Sequence, residues 1–355
     1  MKSPKTDNAE MLRKPEYENT RTMLRAQIVP TRQLGIITSK MAQLQQQVAA
    51  RHNGSVFWSG PNSLPIDGAL FVGESGSGKS FGLRYATHTL PPIKLMDGKE
   101  LASKPAYIDT PTQGTIGSLA KAIIHRADGA EMREPKDKDA PGKAIGAFNR
   151  HHFTMVAIDE ISRIINPRRH AGRALEVQSH LVWTLAIEAL NLPASPTPIV
   201  MGGLPWVLDS FQIMDRTQNA LEVRREAQRR MNVIVLPNLD IALDGAMLSG
   251  AIFKYCGLAK VKIMLTDDDH IIPRLIHASY GQVGSALEWI QKAVALASVR
   301  PNGKLSRSDF AYVYGDMTSA ATSANPFAAT QWDHIDIGKI APQSFAQAVS
   351  KVKAA

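Results

Sequence analysis

Apolar residues recur at helical spacing over residues 32–52 (RQLGIITSKMAQLQQQVAARH), where Leu34, Ile37, Met41, Leu44 and Val48 share one face. Downstream the pattern becomes short apolar runs alternating with amphipathic stretches. GALFV at 68–72 predicts a strand that enters a glycine-rich segment, and FGLRYATHTL predicts the helix leaving it. Ala106 to Asp109 predicts a second strand, 116–127 an amphipathic helix and 143–150 another. The run FTMVAI (153–158) predicts a third strand, Pro198 to Met201 a fourth and 232–236 a fifth. Helices are expected between them over 173–191 and near 216–230. Repeated strand–helix units of this kind form a parallel sheet covered on both faces, so the fold class is α/β.

After Pro237 the texture changes. Residues 240–299 read as nearly all helical, with no convincing strand. A basic and apolar segment at 304–314 precedes a small-residue stretch (TSAATSANPFAAT) and a tail. Residues 1–25 are polar, with prolines and mixed charge, and predict an extended arm with little core of its own. Residues 128–142 form a charged, proline-bounded loop.

Composition narrows the class. In 355 residues, 44% are hydrophobic, enough for a sizeable core, while aromatics are 6%, which argues against a stacking platform as the main binding surface. Lysine and arginine exceed acids by 41 − 32 = +9, and the pI of about 9.6 favours nucleic acid or another polyanion as partner, with general solubility charge as the alternative. The single cysteine, Cys256, excludes an intramolecular disulfide and fits a reducing compartment. No run of eighteen apolar residues exists and the N-terminus lacks an apolar signal core, so a cytoplasmic protein with no membrane partner is expected.

The chemistry sits in two segments. Gly73 to Ser80 reads GESGSGKS, a phosphate-loop pattern. Gly73, Gly76 and Gly78 permit backbone angles that let successive amides converge on phosphate oxygens. Lys79 can reach β- and γ-phosphates, the Ser80 hydroxyl can ligate Mg²⁺, and the following helix presents its N-terminus to the same anion. The candidate nucleotide-binding set is therefore Gly73, Glu74, Ser75, Gly76, Ser77, Gly78, Lys79, Ser80 and Phe81. The second segment, MVAIDE (155–160), puts Asp159 at the carboxyl end of an apolar strand, beside the phosphates and the magnesium. Glu160 then becomes the base that orients an attacking water, and the adjacent pair favours hydrolysis. No guanine signature of the NKxD type occurs, so ATP is the expected nucleotide. His151, His152 and His170 lack partners at ligand spacing, so no metal is expected besides nucleotide-bound Mg²⁺.

Three later features bear on the class. The fourth strand ends in Gly202-Gly203-Leu204-Pro205, where a polar sensor over the γ-phosphate would lie. Arg224, Arg225, Arg229 and Arg230 crowd a helix just before the fifth strand. That crowding suits either a solvated basic face or an arginine that stabilises the transition state in a neighbouring subunit. Tyr280-Gly281-Gln282-Val283-Gly284 opens a helix where a helical lid would send a residue toward the nucleotide.

Together GESGSGKS, MVAIDE, GGLP, RRMNVIVLP, the segment YGQVGSALEWIQKAV and Asn325-Pro326-Phe327 resemble the AAA+ ATPases of transposition, the TniB/TnsC family, along about residues 30–330. The resemblance implies an AAA+ P-loop core with a parallel sheet between helices, followed by a small helical lid. It also implies the division 1–29 N-terminal arm, 30–237 nucleotide-binding domain, 238–315 lid and 316–355 tail. An ATP-dependent regulator would follow, one that forms a ring or helical filament on double-stranded DNA, marks a target site and activates a transposase alongside a target-selection protein. Lys79, Ser80, Asp159 and Glu160 take the roles given above, and Arg230, with Arg229 second, becomes the finger crossing the subunit interface. Two departures, Gly203 in place of a polar sensor and no arginine in the Gly284-Ser285 turn, imply slow, regulatory hydrolysis.

Contacts to DNA phosphates without sequence reading are expected in the unit after the second strand, at Lys104, Thr112, Gln113, Lys121 and Arg126. For each residue taken singly, plain solvated surface is the favoured reading; the class of contact is the expectation rather than any one member. Arg168 and Arg169 form a further patch, whereas Asp137 and Asp139 offset Lys136 and Lys138. The competing readings are a nucleotide-gated scaffold or signalling ATPase without DNA, and a helicase-loader or initiator-like DNA ATPase. The N-terminal arm and the tail after Asn325 are candidate docking segments for transposase or target selector.

Overall fold

The computed structural model describes residues 10–53, 66–94, 98–101, 104–129, 131–170, 172–192, 196–211 and 218–339. The chain divides into two compact units, one of residues 33–237 and one of residues 1–32 with 238–355.

In the 33–237 unit, helix α2 (Arg32–Asn53) precedes strand β1 (Gly68–Val72), and α3 (Lys79–Thr89) leaves the glycine-rich loop. β2 (Ala106–Asp109), α4 (Ile116–Asp128), α5 (Ala140–His151), β3 (Val156–Asp159), α6 (Arg173–Leu190), β4 (Ile199–Gly203), α7 (Gln218–Arg230) and β5 (Met231–Val235) follow. The strands form one parallel sheet in the order β2-β3-β4-β1-β5. Alternate side chains enter opposite cores, as the period of two requires. Leu70, Val72, Val156, Ile158, Ile199 and Met201 join the core that α4, α5 and α6 cover. Ala69, Phe71, Ala157 and Val200 face the other way, against Ile37, Met41 and Leu44 of α2 and Leu83 and Ala86 of α3. In β1, β3 and β4 every residue is buried, which is why those strands are predominantly apolar runs. Thr115 caps α4 with a reciprocal box to Ser118, worth about 1 kcal/mol.

Among its described residues the other unit's only strands are a two-residue parallel pair, β6 (Lys262–Ile263) with β7 (Lys304–Leu305), which have too few residues to show a period in the sequence. Its helices are α1 (Pro15–Arg25), α8 (Ile241–Ala259), α9 (Ile271–Ala278), α10 (Val283–Ser298) and α11 (Arg307–Thr318). Asp240 caps α8 by accepting from the amides of Ala242 and Leu243. With 19 residues, α8 is long and apolar enough to cross a membrane by length and composition; its Leu248, Ala251, Ile252, Tyr255 and Cys256 side is packed in the unit's core.

Two expectations for this unit change. Residues 15–25 are helical, not extended: Pro15 stands in the first turn, where its missing N–H costs nothing, and Glu16 and Glu18 complement the helix N-terminus. Tyr17 and Leu24 of this helix are buried among Ala295, Leu296, Val313, Leu248 and Phe310 and their neighbours. The Asn325-Pro326-Phe327 segment is also structural. Phe327 is fully buried, stacked on Phe310 at 5.5 Å. Asn325 Nδ2 donates to Ala311 O at 2.6 Å and its Oδ1 accepts from the Phe327 amide at 3.0 Å. Residues 340–355 of the tail lie outside the described residues.

Candidate functional site

The glycine-rich loop joins β1 to α3 at the carboxyl end of the sheet. Gly76 and Gly78 adopt φ of 84° and 86°, left-handed values that favour glycine. Gly78 is the N-cap of α3, so the first amides of that helix, from Lys79, Ser80 and Phe81, have no acceptor within it and remain available to an anion. The loop is tied to β4 by the Gly73 amide, which donates to Gly203 O at 3.3 Å. Lys79 is 7% exposed. Its Nζ donates to Gly73 O at 2.6 Å, Glu74 O at 2.9 Å and Ser77 Oγ at 3.1 Å. Burial pushes its pKa below the ordinary lysine value, while Glu160 first, then Asp159 and Glu74, pull it back up. Three carboxylates thus share the field of one ammonium. Ser80 is half-buried beside it, and Glu74 and Ser75 are exposed on the loop's rim with Gly76. The Phe81 side chain turns outward, half exposed and stacked on Tyr85 at 6.0 Å, so only its backbone amide belongs with the loop.

Asp159 ends β3 and is 2% exposed. Both carboxylate oxygens are held: Oδ1 accepts from the Glu160 amide at 2.9 Å and Oδ2 from the Tyr107 hydroxyl at 2.7 Å. Gly202 on β4 leaves room for this carboxylate, since a Cβ there would stand 2.9 Å from Asp159 Oδ1. Glu160 has φ 57° and ψ 36°, a left-handed conformation that costs a glutamate about 1 kcal/mol. Local geometry accounts for the conformation: it turns the Glu160 amide back to Asp159 and starts the tight turn 161–163.

Tyr107 was not anticipated. It lies on β2 in register with Ala157, two residue pairs from Asp109 opposite Asp159. Burial first, then the Asp159 carboxylate, pushes its phenol up to about 12, so it remains a donor at neutral pH. The Arg84 guanidinium of α3 lies 5.0 Å above its ring.

The arginine helix corrects one assignment. Arg230 is 5% exposed and does not project. Its guanidinium donates to Ile66 O, Leu190 O and Asn191 Oδ1 and pairs with Glu226 at 3.3 Å. Arg225 and Arg229 are exposed and Arg224 half-buried. The expected place of a sensor is also closed: a side chain at Gly203 would meet Val207 at 2.9 Å and Ile161 at 3.1 Å.

Of the residues expected to meet DNA, Thr112 and Gln113 are exposed in the turn after β2. Arg169 donates to Thr112 O at 2.6 Å, and Arg163 bonds Thr110 O and pairs with Asp109, so arginines from the turn after β3 gather around this loop. Lys121 and Arg126 are exposed on α4. Lys104 precedes β2 and so stands at the opposite end of that strand from Thr112, outside this grouping. Two acids of the 128–139 loop are engaged internally: Glu134 accepts from Thr115 Oγ1, and Asp137 from the Gly117 amide and Gln178.

No protein-family model matches the sequence, and no curated protein matches it. Among solved structures, the chain is similar to the Orc1 protein of Aeropyrum pernix in complex with DNA. That match has a TM-score of 0.54 at 15% identity and covers 86% of this chain and 74% of that one. It is similar also to the Orc2 protein of Aeropyrum pernix, solved as ADPNP and ADP complexes, with a TM-score of 0.52 at 15% identity over 85% and 72% of the two chains. At these identities the likeness is one of fold: the chain shares with these proteins an α/β architecture, a parallel five-stranded sheet among helices with a helical C-terminal region.

Proposed function

We propose that this chain binds and hydrolyses ATP and acts on double-stranded DNA as a TniB/TnsC-type regulator of transposition. The observation that carries the ATPase reading is the convergence of Lys79, Asp159 and Glu160 at the carboxyl ends of β1 and β3. Polyphosphate fits the residues present: a buried ammonium whose donors rest on the loop's own carbonyls is ready to exchange them for phosphate oxygens. Magnesium fits them too, because the buried Asp159 carboxylate and the Ser80 hydroxyl form a hard oxygen donor set. When bound, Mg²⁺ supplies charge neutralisation at the phosphates.

In this reading the loop amides and Lys79 hold the β- and γ-phosphates. Asp159 and Ser80 hold the metal, and Glu160 orients water toward the γ-phosphorus and accepts its proton. Arg229 takes the finger role that burial denies Arg230. The closed position at Gly203 leaves the γ-phosphate without a strand β4 sensor, which suits slow turnover and a bound state that serves as the signal. Thr112, Gln113, Lys121, Arg126 and Arg169 supply phosphate contacts to DNA. The transposition assignment itself rests on the segments YGQVGSALEWIQKAV and Asn325-Pro326-Phe327; an oligomer on DNA, a transposase and a target selector are its partners.

The test is an ATPase assay with and without duplex DNA, with electron microscopy of the same mixtures. DNA-stimulated turnover, with rings or filaments on DNA in ATP or ADPNP, supports the reading. Turnover indifferent to DNA assigns a scaffold or signalling ATPase instead, and absence of nucleotide binding rejects the ATPase itself.

A further inference from the structure

Asp159 sits at the centre of the site, yet its orientation depends on a residue from another strand. Oδ1 is fixed locally by the amide of its own neighbour, Glu160, at 2.9 Å. One bond alone leaves the carboxylate free to rotate about its Cβ–Cγ axis. The second point is the Tyr107 hydroxyl, 2.7 Å from Oδ2. The polarity of that bond is also set. Arg84 Nη2 donates to the same hydroxyl at 3.4 Å, with its guanidinium over the Tyr107 ring, so the hydroxyl's one proton is directed at Asp159. Tyr107 is half-buried, with its ring against the core formed by Ala69, Phe71, Leu83, Ala86, Met155, Ala157 and Val200. A phenylalanine would fill that space equally well; among the described residues the hydroxyl bonds only the carboxylate and the guanidinium.

We infer that Tyr107 is a positioning residue that fixes the Asp159 carboxylate for a divalent cation, with Arg84 holding Tyr107 in place. This inference rests on the proposed nucleotide site. Partners one bond removed from a metal ligand orient it, and their loss weakens metal affinity about 10–100-fold. The hydroxyl occupies one lone pair of Oδ2 and leaves the others for the ion, so clamp and ligand roles coexist on one carboxylate.

The experiment compares the full-length protein with Tyr107→Phe and Arg84→Met. Mn²⁺ binding is read by electron paramagnetic resonance in the presence of ADP, nucleotide affinity by a fluorescent ADP analogue in EDTA, and stability by thermal unfolding of the nucleotide-free protein. Expected for Tyr107→Phe is Mn²⁺ affinity reduced about tenfold, with metal-free nucleotide affinity and unfolding midpoint at parental values. Arg84→Met should shift Mn²⁺ affinity in the same direction by less, and it carries the test should Tyr107→Phe fail to fold. Parental Mn²⁺ affinity in both variants overturns the inference. So does an equal loss of nucleotide affinity in EDTA, because that marks general disruption of the site. A parental protein that binds no ADP with or without metal rejects the nucleotide site itself, a separate and distinguishable outcome.

Discussion

Arg230 Nη2 donates to the carbonyl oxygen of Ile66 at 2.5 Å, joining the end of α7 to the residue that leads toward β1 across 164 positions of sequence. The same guanidinium reaches Leu190 O at 3.2 Å and Asn191 at the end of α6. One buried charge therefore staples three segments. Removing it abandons carbonyls in a dry site, and breaking such an arrangement costs about 3 kcal/mol. Arg230→Ala should lower the urea midpoint accordingly. Arg229→Ala, on the exposed side, should stay within about 0.5 kcal/mol of the parent while abolishing DNA-stimulated ATP turnover. The reverse pattern, an unstable Arg229 variant and a stable, inactive Arg230 variant, would return the finger role to Arg230.

Glu160 invites a different test because its backbone is already committed to a left-handed turn. Glu160→Gln keeps side-chain volume and that backbone while removing the base. Nucleotide affinity should be retained, and phosphate release should slow by about 100-fold, the usual contribution of a positioned general base. Phosphate release at the parental rate would show that another group orients the water.

These residues also mark what sequence can and cannot convey. The central strands were legible because a strand covered on both faces demands an apolar run, as in GALFV and in the VAI that precedes Asp159. The phosphate loop was legible because its glycines, lysine and serine are contiguous. Arg230 was misplaced because helical spacing gives direction but not depth. Adjacent residues on a helix point about 100° apart, so Arg229 faces solvent while Arg230 turns inward, and β5 begins at the next residue with no slack to swing it out. Tyr107 was invisible for another reason: its meeting with Asp159 is fixed by the β2–β3 register, which no local pattern encodes. The α1 helix was lost to Pro15, which reads as a breaker unless its place in the first turn is known.

Phe327 gives the third prediction. Its ring lies 5.5 Å from Phe310 and 5.9 Å from Tyr314, and its amide is held by Asn325. Arg274 bonds Pro326 O and Ala329 O on either side of it. Truncating a fully buried phenylalanine costs about 3–5 kcal/mol. Phe327→Ala should therefore lower the stability of the helical unit by that amount in chemical denaturation. A variant as stable as the parent would mean that residues 325–329 are not part of that core.

Cys256 offers a probe of the same core. It is 2% exposed on α8 and shares a cluster with Phe310, Tyr314 and Phe327. Burial pushes its thiol up to about 12, against about 8.5 for a free cysteine. The reactive species is the thiolate. At pH 8 its native fraction is about one in ten thousand, compared with about a quarter in the unfolded chain, by the two pKa values. The sign follows: raising pH from 7 to 9 should speed labelling of the unfolded protein strongly while leaving native Cys256 protected. Modification by a disulfide reagent should therefore wait for opening of the helical unit, and Phe327→Ala, which weakens that unit, should accelerate it at constant pH. Rapid labelling of the native parent at pH 8, at the rate seen in denaturant, would show that α8 does not bury this thiol.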